Sequence, residues 1–371
     1  MRSKSICFVT TGDIQKIAMA KRALGLANPL VELGWKVSIL MDDTPENRHR
    51  ASLECSNDVS VFFNRYKSVI NEIVVKSKII KQLSPSIVYN CAPALRDLII
   101  IPSKTSLVTE HSELTTKMEH IKGINYLKFL FLEFYSIFKS DALINASKFL
   151  QTFFKKRADS VGKSKLPMLY LPYAFNFKSS FIEHVGSIKF TKGKNDKYIV
   201  YLGSLDRTYG AFTMLGAFER IKKSNRNIKL VLCGKGADYE NVKKIVRTHK
   251  LEDTVFVRGF VPEEDIPYYF SLADAFLSPM NNTIKDWARC PSKLYMYLPY
   301  NKPVITCKIG EPYEVLKDKG FYFEPSDELS LANTILQLYD DNIWKVDYQS
   351  SLHEWKQRAV VLDEFLKKYV L

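Results

Sequence analysis

The sequence predicts two α/β domains in tandem, each a mostly parallel sheet covered by helices on both faces. Three observations carry this expectation. Short β-branched and apolar runs alternate with segments of helical periodicity along the chain. The alternation breaks once, at a polar stretch spanning 176–197, and then restarts. A length of 371 residues is enough for two cores of ordinary size. Strands that alternate with helices pair in parallel, because each helix carries the chain back to the same edge, so both halves read as Rossmann-like.

Taken in order, residues 5–10 are strand-like and Thr11-Gly12-Asp13 is a tight turn. Helical periodicity over 14–34 contains Pro29, which removes a backbone donor and predicts a kink. Further strands are expected at 35–41, 59–63, 87–91, 106–110, 142–145 and 168–171. After the polar stretch they resume at 198–202, 229–233, 255–257, 275–278, 303–306 and 321–323. A last helix is expected at about 352–370. In open α/β sheets ligands bind at the carboxyl ends of the strands, which makes the cleft between the domains the expected site.

Hydrophobic content of 46% and a charged content of 25% are ordinary globular values. The six cysteines have no paired spacing and several fall in expected core strands, which predicts buried free thiols in a reducing compartment. The opening MRSKSICFVT has too short an apolar run for a signal peptide, and no stretch approaches the ~20 apolar residues of a membrane span. A soluble, cytoplasmic chain is expected. Its charge is uneven: residues 1–180 hold 26 Lys and Arg against 15 Asp and Glu, a net of +11 out of +14. A basic first half predicts contact with a polyanion or an anionic membrane surface. No basic-aromatic recognition module supports nucleic acid as that partner.

One stretch has the chemistry of an anion site. In DWARCPSKLYMYLPYNKPVI, residues 286–305, a short helix is expected to start at Pro291 in its first turn, with Ser292 as a cap, and to end at Pro299 and Asn301. A helix start offers unpaired backbone N–H groups, and Arg289 and Lys293 flank this one, so a diphosphate would find donors and charge there. The first βα turn, TTGDIQ, lacks G-x-G-x-x-G, which argues against a dinucleotide oxidoreductase.

Four consecutive motifs carry a resemblance: YLGSL with Tyr209-Gly210, LVLCGKG at 230–236, VFVRGFV leading into EEDIPYYFSLADAFLSP, and PSKLYMYLPYNKPVIT. In order and spacing they resemble the nucleotide-sugar domain of glycosyltransferase family 4, the group 1 retaining enzymes of GT-B fold. The resemblance covers roughly 198–342. It implies two Rossmann-like domains facing each other across a cleft: an acceptor domain at 1–180, a linker at 181–197, a nucleotide-sugar domain at 198–342, and a helix within 343–371 crossing back to the first domain.

The resemblance also implies site residues. The backbone around Ser292 and Lys293 matches the family's diphosphate cradle, and Gly12 matches a close backbone approach to donor or acceptor. The family's usual arginine and lysine after the first strand of the domain fall on Ser204 and Tyr209, so Arg207 and Lys235 are the nearest substitutes. The Glu-x7-Glu carboxylates fall on Ala288 and Met296. Methionine cannot accept bonds from ribose hydroxyls, and Asp286 is the candidate to replace the first carboxylate near the donor sugar. His111, at the end of the strand 106–110, is expected to reach that sugar's hydroxyls.

The segment 126–139, YLKFLFLEFYSIFK, combines aromatics at helical spacing with Lys122, Lys128 and Lys139, which suits either a core helix or docking onto a membrane interface. The expected activity is a metal-independent, cofactor-free, retaining transfer of a hexose or N-acetylhexosamine. The donor would be a UDP- or GDP-linked sugar and the acceptor a glycan or lipid-linked glycan. Bacterial surface polysaccharide assembly at the inner face of the cell membrane is the setting the family implies. A degenerate GT-B protein that binds a glycan or partner, and a nucleotide-sugar epimerase, are the alternatives.

Overall fold

The computed structural model describes residues 3–14, 19–102, 104–118, 121–176, 192–193, 195–224 and 226–371. The chain divides into two compact units. The first comprises Met1–Asn176, Ala288–Cys290 and Leu352–Leu371, and the second Phe177–Trp287 and Pro291–Ser351. Most of the expected linker at 181–197 lies outside the described residues.

In the first unit the strands are β1 (Ser5–Val9), β2 (Lys36–Asp42), β3 (Ser60–Asn64), β4 (Ile87–Asn90), β5 (Ser106–His111), β6 (Ala142–Asn145) and β7 (Met168–Tyr170). They form one sheet in the order β3-β2-β1-β4-β5-β6-β7. Every pairing is parallel. Its helices are α1 (Met19–Glu32), α2 (Pro45–Glu54), α3 (Val69–Leu83), α4 (Leu95–Leu98), α5 (Gly123–Lys139) and α6 (Lys148–Ser160).

The second unit holds β8 (Lys197–Leu202), β9 (Ile228–Cys233), β10 (Val255–Gly259), β11 (Ala275–Ser278), β12 (Val304–Thr306) and β13 (Phe321–Tyr322). Their order is β10-β9-β8-β11-β12-β13, again parallel throughout. Its helices are α7 (Ala211–Lys222), α8 (Tyr239–Thr248), α9 (Ile266–Leu272), α10 (Ile284–Ala288), α11 (Ser292–Tyr297), α12 (Gly310–Leu316) and α13 (Glu328–Asp340). The last helix, α14 (Trp355–Tyr369), belongs to the first unit. Both sheets are doubly wound, with the strand order reversing between β1 and β4 in one and between β8 and β11 in the other. Such reversals open a crevice at the carboxyl edge.

All the strands expected from the alternation are present. Strands buried on both faces are apolar along nearly their whole length, and the central strands of both sheets gave that signal. All six thiols are free, four of them buried.

The packing of α14 explains a glycine. A Cβ on Gly25 in α1 would lie 2.4 Å from Cε2 of Trp355, so only glycine admits that indole. Trp355 stacks edge-on with Tyr173, and the Arg22 guanidinium lies 5.7 Å from its ring centroid. Further along, Trp35 Nε1 donates to Asp363 Oδ1 at 2.8 Å.

Two buried charge clusters were not foreseen. Arg22 Nε is 2.6 Å from Glu110 Oε1, and Tyr89 donates to the other oxygen of that carboxylate. Burial opposes the Arg22 charge, but the Glu110 carboxylate overrides it and raises the pKa, so the guanidinium stays ionised. Lys76 lies 2.7 Å from both Glu72 and Asp97.

Candidate functional site

At the carboxyl edge of the first sheet, Gly12 has φ +82, the left-handed region that favours glycine. Its N–H donates to Asp42 Oδ2 at 2.8 Å and its carbonyl accepts from Asn47 Nδ2. Asn47 is buried and also accepts from Ile14 N, so one asparagine splints the whole turn. The tight turn is as expected, with its amide committed to a neighbouring carboxylate.

His111 corrects an expectation. It is 1% exposed and its ring stacks on Phe154. Ser136 Oγ donates to the Glu133 carbonyl, so it accepts from His111 Nε2 at 2.9 Å, which fixes the proton on that nitrogen. Burial, then the Arg157 charge, lowers its pKa to about 3. His111 is a neutral core histidine because α5 and α6 close over the strand end, and it presents no edge to a sugar.

In the second unit the loop after β8 is the centre of the polar features. Gly203 at φ +147 donates its N–H to the Cys233 carbonyl, which ties this loop to the one after β9. A Cβ on Gly234 would meet the Gly203 carbonyl oxygen at 1.9 Å, and one on Gly236 would meet Leu205 N and Ser204 Oγ at 2.6 Å. The two loops are therefore in backbone contact. Tyr201 Oη donates to the Ser204 carbonyl and Leu202 N donates to Tyr297 Oη, so two buried tyrosines shape the turn. Burial holds the Tyr297 phenol well above its ordinary pKa.

The side chains around this turn are few. Ser204, where the family places an arginine, donates to Asp206 Oδ2, and Thr208 donates to Oδ1 of the same carboxylate. Arg207 is exposed, with its guanidinium 4.8 Å from the Phe212 ring centroid and its backbone N–H on Asp238. Lys235 is exposed beside Tyr239, and its carbonyl accepts from Leu205 N. Lys293, from the first turn of α11, brings its Nζ 4.0 Å from the Tyr201 ring centroid. The same Nζ lies 3.2 Å from where a Gly203 Cβ would stand. Of these three cations, Lys293 places its ammonium at the glycine turn after β8, whereas Arg207 turns to Phe212 and Lys235 to Tyr239.

The start of α11 differs in one detail from the expectation. Pro291 is the cap, at φ −67 and ψ 109, and Ser292 is the first helical residue with no capping bond from its side chain. The end is as expected, with Asn301 in the left-handed region after a 3-10 turn over Leu298–Tyr300.

Asp286 is 2% exposed on α10. Its Oδ2 accepts from Thr283 Oγ1 at 2.5 Å, and Thr283 Oγ1 accepts from the Asp286 N–H at 3.2 Å. The Thr283 hydroxyl thus caps the Asp286 amide and donates to its carboxylate, so the carboxylate is held at the start of a short helix where a sugar contact was expected. Asn281, just before it, donates to the Thr208 carbonyl and so joins the loop after β11 to the loop after β8. Arg289 belongs to the Ala288–Cys290 stretch of the first unit, whereas Ser292 and Lys293 belong to the second. Among the described residues no group of His, Cys, Asp and Glu has the arrangement of a metal site.

Sequence reasoning missed Tyr201, Tyr297, Asp206 and Asn281, which order the turn, Tyr201 also lying under the Lys293 ammonium. Thr283 had a signal: Thr-x-x-Asp is the spacing of a capping box.

Comparison with known proteins bears on this site. Residues 187–359 match the family model for glycosyl transferases group 1. The chain is 24% identical over 150 residues to the O-antigen chain mannosyltransferase B of Escherichia coli, a match spanning 40% of this chain and 38% of that protein. Among solved structures, Anabaena Alr3699/HepE in complex with UDP and glucose superposes with a TM-score of 0.74 at 16% identity, covering 99% of this chain and 100% of that one. The apo form of the lipopolysaccharide outer core galactosyltransferase WaaB gives 0.66 at 13% identity, covering 98% and 99%. Likeness at these identities establishes the fold, two Rossmann-like units of GT-B type.

Proposed function

Because the chain belongs to the group 1 glycosyl transferases, through residues 187–359, we propose that it moves a hexose or N-acetylhexosamine from a nucleotide-diphosphate sugar to a glycan or lipid-linked glycan, with retention of configuration. The observation that carries this reading is the placement of Lys293 at the Gly203 turn. Negative charge grows on the leaving diphosphate as the glycosidic bond breaks, and a positioned ammonium beside it stabilises that charge. The family's arginine is replaced here by Ser204, and the Lys293 ammonium, from a different element, occupies its surroundings. Arg207 and Lys235 add exposed positive charge to the loops after β8 and β9. The Lys293 ammonium can offset the leaving group's charge from a side chain, and we assign transfer without a metal ion on that ground.

Ribose recognition falls to other groups than the usual glutamate, since Met296 stands at that position. Bacterial surface polysaccharide assembly is the setting we assign. It is supported by the O-antigen mannosyltransferase and the outer core galactosyltransferase among the similar proteins.

Thermal stabilisation by UDP, GDP and their common sugar conjugates tests the reading. A ligand at 100 times its dissociation constant adds about 2.7 kcal/mol, so one nucleotide class should shift the transition clearly. Incubation of the stabilising conjugate with candidate glycan acceptors, followed by NMR of the anomeric proton, then reads retention. The absence of any shift on folded protein would favour a second reading, a binder without transfer. The specific observation favouring that one is Asp206, a carboxylate at the very turn where the family carries an arginine.

A further inference from the structure

A cleft of about 600 Å³ opens at the amino edge of the first sheet, the edge away from the Gly12 turn. Ser3 stands before β1, Ser86 before β4 and Thr105 before β5, three strands that neighbour one another in the sheet. Lys81 and Ser84 reach it from the end of α3, and Lys104 from the loop before β5. A strand such as β1, five residues at about 3.3 Å each, puts roughly 15 Å between this cleft and the carboxyl edge. Its size is that of pockets which enclose small ligands, about 300–1,000 Å³.

The hydroxyls that line it have a fixed polarity. Ser86 Oγ donates to the Ser3 carbonyl at 2.6 Å, Thr105 Oγ1 to the Pro85 carbonyl at 3.0 Å and Ser84 Oγ to the Lys81 carbonyl at 2.9 Å. Ser86 Oγ also accepts from Ser5 Oγ, so the oxygens of Ser84 and Thr105 are the ones left to receive protons from a ligand. A molecule with many hydroxyl groups supplies those protons. Ser84 is moreover held at φ 43 and ψ 51, the left-handed cap of α3, where glycine is the ordinary choice. A hydroxyl is kept there against the preference of the backbone.

The charge has one sign. Lys81 and Lys104 are exposed, and none of the described residues lining the cleft is an Asp or Glu. No aromatic side chain lines it for a nucleotide base to stack on. Two ammonium groups beside acceptor oxygens suit a molecule that combines hydroxyl groups with negative charge.

We propose that this cleft binds an acidic saccharide, whose hydroxyls donate to Ser84 and Thr105 while its carboxylate or phosphate groups meet Lys81 and Lys104. The transferase reading enters only as the source of the ligand, a charged glycan among the acceptors or products. At the amino edge such a chain is held without occupying the carboxyl edge.

The test is calorimetric titration of the full chain with trigalacturonate, with the neutral trisaccharide maltotriose and with inorganic phosphate, all without sugar nucleotide. Failure here leaves the transferase reading untouched, since that reading is tested by the thermal response to nucleotides. The wild type should bind trigalacturonate roughly tenfold or more tightly than either other probe, and UDP or GDP should not displace it. Ser84→Gly removes the hydroxyl and relieves the left-handed serine, so it should keep or raise Tm while weakening trigalacturonate about fivefold. Lys81→Gln/Lys104→Gln should bind the acidic and neutral trisaccharides alike. Both variants should respond to nucleotides as the wild type does. Four results would overturn the proposal: no binding of trigalacturonate by the wild type, phosphate binding as tightly, displacement by a nucleotide, or wild-type affinity in both variants.

Discussion

The ammonium of Lys293 sits over the ring of Tyr201, two residues before the glycine turn that closes β8. The two residues are far apart in sequence, and the parallel sheet brings them together by placing α11 beside the end of that strand. The tyrosine face holds the cation where a flexible lysine would otherwise wander, so the charge is oriented before any ligand arrives.

Lys293→Ala should weaken binding of the stabilising nucleoside diphosphate about 5- to 30-fold, corresponding to about 1–2 kcal/mol, because the backbone at the start of α11 is unchanged. Calorimetric titration measures this. Complete loss of binding with the fold intact would show that the side chain, rather than the backbone, does the holding.

Gly234→Ala should destabilise the second unit by about 2 kcal/mol or more, since φ is +146 there and a Cβ would run into the Gly203 carbonyl. Urea unfolding reads the loss. The nucleotide-induced thermal shift should fall with it, because the same carbonyl sets the height of the turn. A variant of wild-type stability would contradict the backbone contact.

Lys76→Met should cost about 3–5 kcal/mol, because Glu72 and Asp97 would both lose the cation they share inside the first unit. Asp97→Asn added to that variant should recover part of the loss. Chemical denaturation of the three proteins decides it, and equal stability of Lys76→Met and wild type would sink the account.

Acid should destabilise the first unit through its histidines. Burial, then Arg157, brings His111 to about 3, and burial, then Arg358, brings His353 to about 4. Both side chains take up protons near 6.5 when unfolded. Between that value and their native values the unfolded state binds more protons, so their contribution is complete above pH about 6.5 and fades as pH falls towards 3. The urea midpoint should decline over that window, and His111→Gln should decline less steeply than wild type. Parallel curves would remove His111 from the explanation.

The architecture was legible because buried parallel strands announce themselves as apolar runs, as β1, β2, β4, β5, β6, β8, β9, β11 and β12 do, while the half-exposed β3, β7, β10 and β13 are still rich in apolar residues. The site was legible in its backbone and less so in its side chains. Lys293 was picked from its helix start, yet its neighbour Tyr201 follows only from the strand order. His111 read as a strand-end residue facing a cleft, and nothing local shows that Ser136 and Phe154, from two later helices, would enclose it. Asp286 could have been read correctly, since Thr283 stands three residues before it at the capping spacing. Charge was read as a total of +11, whereas the structure sorts it: the acids of α3, α4 and α5 are inside with Lys76, and Lys128 and Lys139 are outside.

The indole of Trp355 in the notch of Gly25 has a consequence for biosynthesis. A ribosome making this chain releases the first sheet early but the helix that finishes its core last, with the whole second unit translated in between. During that interval the surface around Gly25, Trp35 and Arg22 faces solvent, and Asp363 does not yet exist to receive the Trp35 N–H. The half that is born first is thus completed last, and a nascent chain halted before residue 355 carries an open, sticky seam along α1 for chaperones to cover.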